Sequence, residues 1–259
     1  MRANRVKQLL YSGQPALGTF MALGSPLGAE QLAHVGFDWL VIDQEHGAID
    51  ATLTQSLLQA ISTTETVPLI RVPENGVDWI KRALDAGAYG VIVPMVNTRE
   101  EAEAAVQAAK YPPLGSRSIG GSRTRLYGGS DYVEKANDEI LLITQIEHKI
   151  GVENAREILS VKGVDAYFIG PGDLCASLGL PNSWDPDFPE YWAAIEKVRQ
   201  AGVATGKPGG IHASANRVPQ MLEKGYRFIA IGFDISFMQN AAAAALQAAR
   251  PKTVDTKGR

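Results

Sequence analysis

The chain has 259 residues with 25 basic and 28 acidic side chains, a net charge of −3, so no electrostatic field marks it for nucleic acid or an anionic membrane. Apolar residues make up 45% and charged residues 20%, the balance of a soluble globular protein able to bury its own core. The one cysteine, Cys175, rules out an intrachain disulfide, and neither residues 1–10 nor any later run has the apolar length of a signal peptide or membrane span, so a cytosolic protein is expected.

Short apolar runs alternate with amphipathic patterns from one end of the chain to the other. Strands are expected at 17–23, 39–43, 68–72, 90–95, 141–147, 166–170, 206–212 and 228–233. Helices are expected at 28–35, 51–62, 77–86, 98–109, 152–159, 191–201, 215–223 and 235–249. Eight βα units in one domain spanning 1–259 predict an α/β fold closed into a (β/α)8 TIM barrel, not an open doubly wound sheet. Helix punctuation agrees. Asp50 can cap the run that follows it, Thr98 and Glu101 have capping-box spacing, and Gly87 and Gly225 fall where a helix ends. Residues 110–139, between strands four and five, are too many for a turn. They carry glycines, tyrosine and proline rings, Arg117, Arg123 and Arg125, and read as a functional lid or a disordered segment. The polar tail, 251–259, is expected to be loose.

Catalytic side chains of such barrels come from the C-terminal ends of the strands, which turns the strand map into a site map. Strand two ends Asp43-Gln44-Glu45-His46, and strand three ends at Arg71. Strand five ends Gln145-Ile146-Glu147-His148, and strand six runs into Gly170-Pro171-Gly172-Asp173. Glu147 and Asp173 could hold Mg²⁺ or Mn²⁺ with coordination positions open for substrate; the plainer alternative is a pair of solvated carboxylates. Arg71 suits a carboxylate or enolate oxygen, or a salt bridge. His46 is the acid/base candidate, with Asp43 three residues earlier to fix its tautomer. The glycines of the 170–174 turn let backbone N–H groups approach an anion. Lys207-Pro208-Gly209-Gly210 raises a rival phosphate site or Schiff-base lysine. His34 and His212 are weaker candidates, the latter at a strand end with no partner that the sequence can name.

Taken together, Asp-Gln-Glu-His-Gly at 43–47, Pro-Leu-Ile-Arg-Val at 68–72, Leu-Asp-Ala-Gly-Ala at 84–88, Pro-Pro-Leu-Gly-Ser-Arg at 112–117, Gln-Ile-Glu at 145–147 and Gly-Pro-Gly-Asp-Leu at 170–174 resemble the metal-dependent 2-oxo-acid aldolases. That group includes 2-dehydro-3-deoxyglucarate and 4-hydroxy-2-oxoheptanedioate aldolases. The resemblance runs from about Gly18 to Arg250. It implies a modified barrel whose last helix is swapped between subunits of a trimer or hexamer. It also implies a divalent metal (Mg²⁺, Mn²⁺ or Co²⁺) and cleavage of 4-hydroxy-2-oxo acids to pyruvate and an aldehyde. By position, Glu147 and Asp173 match the metal ligands, Arg71 the enolate-stabilising arginine, and His46 with Asp43 the acid/base pair. Gln145 matches a glutamine beside the metal, Gly172 and Asp173 the N–H groups on the pyruvate carboxylate, and Asp85 an acid supplied by the neighbouring subunit. Two positions depart from the pattern: His148 stands where a hydroxyl residue is expected and Cys175 where serine is common. Residues 110–139 would face the aldehyde half, with Arg123 and Arg125 contacting acidic aldehydes. Oxaloacetate decarboxylase and acyl-CoA thioester cleavage are rival reactions; a non-catalytic metabolite-binding barrel is the rival of another class.

Overall fold

Near-continuous apolar strands flanked by helices can bury both faces only if the sheet is covered all round, and here the sheet closes on itself. The computed structural model describes residues 1–250, so the expectation for the tail falls outside them. Eight parallel strands pair in sequence order and β8 returns to β1. They are β1 (Ala16–Met21), β2 (Trp39–Asp43), β3 (Val67–Arg71), β4 (Gly90–Val93), β5 (Leu141–Ile146), β6 (Ala166–Ile169), β7 (Gly209–His212) and β8 (Phe228–Phe233).

Helices α1 (Arg5–Tyr11), α2 (Pro26–Val35), α3 (Ala51–Ile61), α4 (Val77–Asp85) and α5 (Arg99–Ala109) precede a pair that the sequence reading did not foresee, α6 (Ser122–Gly128) and α7 (Tyr132–Glu139). Then come α8 (Lys149–Glu153), α9 (Ala155–Leu159), α10 (Pro171–Ser177), α11 (Pro189–Thr205), α12 (Val218–Glu223) and α13 (Asp234–Ala249). The single helix expected at 152–159 is two short ones meeting at Asn154, which ends α8 and precedes α9. The caps at Asp50 and Thr98 form as the spacing required, the latter as a full capping box with Glu101.

Alternation along the strands sorts side chains into two layers. Leu40, Ile42, Ile70, Val91, Val93 and Ile211 face the helices, whereas Trp39, Val41, Leu69, Ile92 and Ile143 fill the barrel. The interior is strongly aromatic. Trp39 stacks on Phe228 at 4.2 Å, and Phe168 and Phe20 lie above them. Gly18 makes room for this, since a Cβ there would sit 2.1 Å from the Trp39 ring. Each such ring taken out of water contributes roughly 1.5–3 kcal/mol. The packed interior leaves only the mouth open to chemistry.

Residues 110–139 fold at the other end of the barrel from the mouth. Arg117 bonds Asp85 at 2.7 Å, where α4 ends, and is stacked over Tyr111; Arg123 donates to the Ala86 carbonyl at 2.7 Å. Both groups precede β4, at the N-terminal side of the sheet. The expectation that 110–139 lines the aldehyde site therefore fails within one chain. The chain must run from the top of β4 to the foot of β5, and this segment uses its length to cross that lower rim. Lys207 lies there too. It precedes β7, and its ammonium donates to the Val164 carbonyl at 2.6 Å. Neither a phosphate site nor a Schiff-base lysine at the mouth can be built from it.

Candidate active site

The β2–β3 register sets Asp43 directly beside Arg71. Both side chains point inward, and they form a two-toothed pair: Nε to Oδ1 at 2.9 Å and Nη2 to Oδ2 at 2.6 Å. Asp43 also accepts from the backbone N–H groups of Glu45 and His46. Its carboxylate is thus committed to Arg71 and to the turn, not to the His46 ring. The expected Asp43–His46 side-chain pairing is corrected on this point. The imidazole of His46 is 61% exposed, and its nearest carboxylate is Glu45, 3.9 Å from Nε2. Arg71 itself is 7% exposed and lies over the Phe20 ring at 5.1 Å. Its third nitrogen, Nη1, reaches Glu45 at 3.1 Å. Burial would weaken the guanidinium's hold on its proton, but the bonds to Asp43 and the charges of Glu45 and Glu147 raise its pKa instead, so it is a permanent cation at the mouth.

Glu147 follows β5 and is 2% exposed. One oxygen accepts from the Met95 N–H at 2.9 Å and the other from Gln145 Nε2 at 2.5 Å. Burial pushes its pKa up; those two bonds and Arg71 oppose the shift, and Asp173 adds to it. Asp173 stands exposed in the first turn of α10 and is close enough for its charge to act on both Glu147 and Glu45. Glu45, unassigned in the sequence reading, is pushed up to about 7, chiefly by burial; Arg71 resists, while Glu147, Asp43 and Asp173 reinforce it.

Two backbone features make this carboxylate cluster possible. Gly170 is one, because a Cβ there would fall 2.2 Å from Glu147 Oε2. The other is Met95, whose φ of +54° turns its N–H toward Glu147. No local sequence pattern marks a left-handed methionine, so this contact was not foreseen.

The donor set fits a hard divalent cation. Glu147 is a buried carboxyl group, Asp173 is a second beside it, and Gln145 Oε1 is buried without a partner. Among the described residues no group of three or more His, Cys, Asp or Glu side chains is placed to hold a metal ion, so a cation here would take the rest of its coordination from substrate and water. His148 and Cys175 are outside this cluster. His148 Nδ1 accepts from the Ile150 N–H at 3.2 Å and so caps α8, the task a serine or threonine would perform there. Cys175 is 0% exposed in the core. His34 is exposed on the last turn of α2. Asp85 lies at the opposite rim of its own barrel, paired with Arg117.

Similarity to known proteins extends over nearly the whole chain. A hydroxypyruvate/pyruvate aldolase of Deinococcus radiodurans is 40% identical over 245 residues, 93% of this chain and 87% of that one. A 4-hydroxy-2-oxo-heptane-1,7-dioate aldolase of Shigella sonnei is 39% identical over 248 residues, 93% of each. The crystal structure of an HpcH/HpaI aldolase/citrate lyase family protein from Burkholderia cenocepacia J2315 superposes with a TM-score of 0.90 at 37% identity, covering 96% of this chain and 100% of that one. Residues 16–241 match the family described as HpcH/HpaI aldolase/citrate lyase, and the chain belongs to that family.

Proposed function

We infer that the chain cleaves 4-hydroxy-2-oxo acids reversibly to pyruvate and an aldehyde, with Glu147 and Asp173 as the metal-holding carboxylates. The arrangement that carries this reading is the buried Glu147 carboxylate, positioned by Gln145 and Met95, beside an arginine locked by Asp43. Two relatives near 40% identity bear aldolase names, which supports the same reaction class. A divalent cation bound there, Mg²⁺, Mn²⁺ or Co²⁺, supplies Lewis acidity to the 2-oxo group.

The protein's own residues do the rest. Gly172 and Asp173 lead α10, where their N–H groups have no preceding helical carbonyl and can hold the substrate carboxylate. Arg71, unable to rotate away from Asp43, presents a fixed positive charge to the oxygen that becomes an enolate. Gln145 holds Glu147 in place and offers Oε1 toward the same space. His46 takes the proton of the C4 hydroxyl as the C3–C4 bond breaks, with Glu45 as its neighbouring carboxyl group. Asp85 and the 110–139 arginines, being at the far rim, act on a mouth only if it belongs to another copy, as expected for a trimer or hexamer with an exchanged last helix. A cytosolic location accords with the absence, among the described residues, of any helix long and apolar enough to cross a membrane.

The test is pyruvate release from 4-hydroxy-2-oxo acids and from oxaloacetate, before and after EDTA and with Mg²⁺ or Mn²⁺ restored. Metal-restored release from the hydroxy acids is expected. Release from oxaloacetate alone would make the enzyme a decarboxylase, and activity that survives EDTA would remove the metal from the reading.

A further inference from the structure

The mouth contains an imidazole that the aldol mechanism above does not use. His212 is the last residue of β7, in register with Ala230 of β8, and its strand phase points it into the barrel mouth. Its ring stacks on Phe233 at 4.9 Å and 23°. Trp184, from the segment between α10 and α11, closes against both rings, at 5.8 Å from His212 and 5.1 Å from Phe233. Phe233 in turn lies 5.7 Å from Phe20, the ring beneath the Arg71 guanidinium. A continuous aromatic wall thus runs from Trp184 through His212, Phe233 and Phe20 to the enolate-facing arginine.

Both nitrogens of His212 are buried and neither makes a hydrogen bond of good geometry within the protein, the Gly232 carbonyl being the nearest acceptor that acts on the ring. The polar groups nearby each make other bonds. Asp185 takes Ser214 Oγ at 2.6 Å and Arg217 Nη1 at 2.5 Å; the Gly232 carbonyl takes Thr19 Oγ1 at 2.6 Å. Orphaned buried donors and acceptors are costly and rare in folded proteins unless something else satisfies them. The ring is also neutral. Burial, with a small contribution from the Arg71 charge, holds its pKa down at about 4 against the weaker opposing pull of the Gly232 carbonyl and Asp185. A neutral imidazole offers one N–H donor and one bare acceptor nitrogen. That pairing matches a hydroxyl group, which donates and accepts. It does not match a carboxylate, which needs donors and positive charge, or an alkyl chain, which would leave both nitrogens unpaired.

We propose that His212, held between Phe233 and Trp184, is a specificity-determining residue that hydrogen-bonds a hydroxyl group carried by the substrate next to the reacting carbons, so that the enzyme prefers hydroxylated substrates to their deoxy analogues. The inference rests on the pyruvate-aldolase reading of the same site. The hydroxyl can reside on either half of the aldol: on the 2-oxo acid, as in hydroxypyruvate, or on the aldehyde, as in glycolaldehyde.

Aldol addition measured with Mn²⁺ in a two-by-two design separates these sources: pyruvate or hydroxypyruvate as donor, acetaldehyde or glycolaldehyde as acceptor. The wild type is expected to favour one hydroxylated partner, and His212→Phe to lower that kcat/KM ratio by about tenfold or more, because a site built to bond a hydroxyl rejects the analogue lacking it. The arm in which the ratio falls identifies the half that His212 reads. His212→Gln, which keeps a donor and an acceptor, is expected to retain part of the preference, and it also serves if the phenylalanine variant does not fold. An unchanged ratio in both variants overturns the inference while the aldolase reading stands. No turnover of any combination by the wild type overturns both.

Discussion

Asp43 and Arg71 show how a single contact sets a residue's role. The Asp43 carboxylate is bidentate to Arg71, and both groups are buried. Replacing one partner leaves the other short of its main counter-charge in a poorly solvated place. Arg71→Lys keeps the charge but gives up the forked geometry. It is expected to lower kcat/KM by about 100-fold, some 2.7 kcal/mol of transition-state stabilisation, with KM for the 2-oxo acid changing less than kcat. Steady-state kinetics on both parameters checks this; a change confined to KM would mean that Arg71 only binds the ground state. His212 makes a second prediction at this scale. Its pKa in the folded chain is about 4 against an ordinary 6.5, so between those values the unfolded chain binds a proton that the folded chain refuses. The stability tied to His212 is therefore complete above pH 6.5 and is lost as pH falls toward 4, by at most on the order of 3 kcal/mol. Urea midpoints at pH 7 and pH 5 should fall further apart in the wild type than in His212→Phe, and an equal drop in both would show that the folded ring is free to charge.

At the scale of elements, the β6–α10 turn decides whether Glu147 and Asp173, the proposed metal-holding carboxylates, can sit together. Gly170 is required there by contact, not by its own φ of −87°, since any side chain would enter the space of Glu147 Oε2. Gly170→Ala should displace the carboxylate, weaken Mn²⁺ binding by about tenfold or more in calorimetry, and leave the far-ultraviolet circular dichroism unchanged. Unaltered Mn²⁺ affinity would argue that the metal is held elsewhere. The turn's glycines are visible in the sequence as an anion-approach motif, but the partner that the first of them accommodates lies just past the end of another strand. Met95 is the stronger example, because its N–H is aimed by a positive φ that only the surrounding fold imposes. Residues 110–139 were readable as a departure from the βα rhythm, yet two helices there, α6 and α7, were hidden by glycine and tyrosine content.

For the whole molecule, the last helix is the element out of balance. Of the residues in α13 only Asp234 is buried, and Met238 and Leu246 are each 55% exposed on a helix otherwise rich in alanine. A sixteen-residue helix of this kind has little stability without a packed face. It meets its own barrel mainly at its start, where Phe237 stacks on Phe37 at 6.3 Å. The exposed remainder suits burial against another copy. Light scattering on the purified protein should give the mass of an oligomer, and a Met238→Asp, Leu246→Asp double variant should shift it to smaller species. A monomeric wild type would show that the helix has another role.

The strand and helix periods, the eight-fold βα repeat and the polar residues at strand ends are local properties. They alone were enough to predict a closed barrel and to put Arg71, Glu147 and Asp173 at one mouth, because a parallel βα unit always delivers the ends of its strands to the same side. Which side chains meet there is another matter. Asp43 goes to Arg71, not His46, because strand register brings two residues that are distant in sequence to adjacent positions. Lys207 drops to the far rim because β7 begins at Gly209, three residues later than the apolar pattern suggested. His212 acquires its two buried nitrogens only once Trp184 and Phe233 have packed against its ring. Pattern along a chain fixes the direction in which a side chain points; the identity of its neighbours is set by packing across strands, which no local window contains.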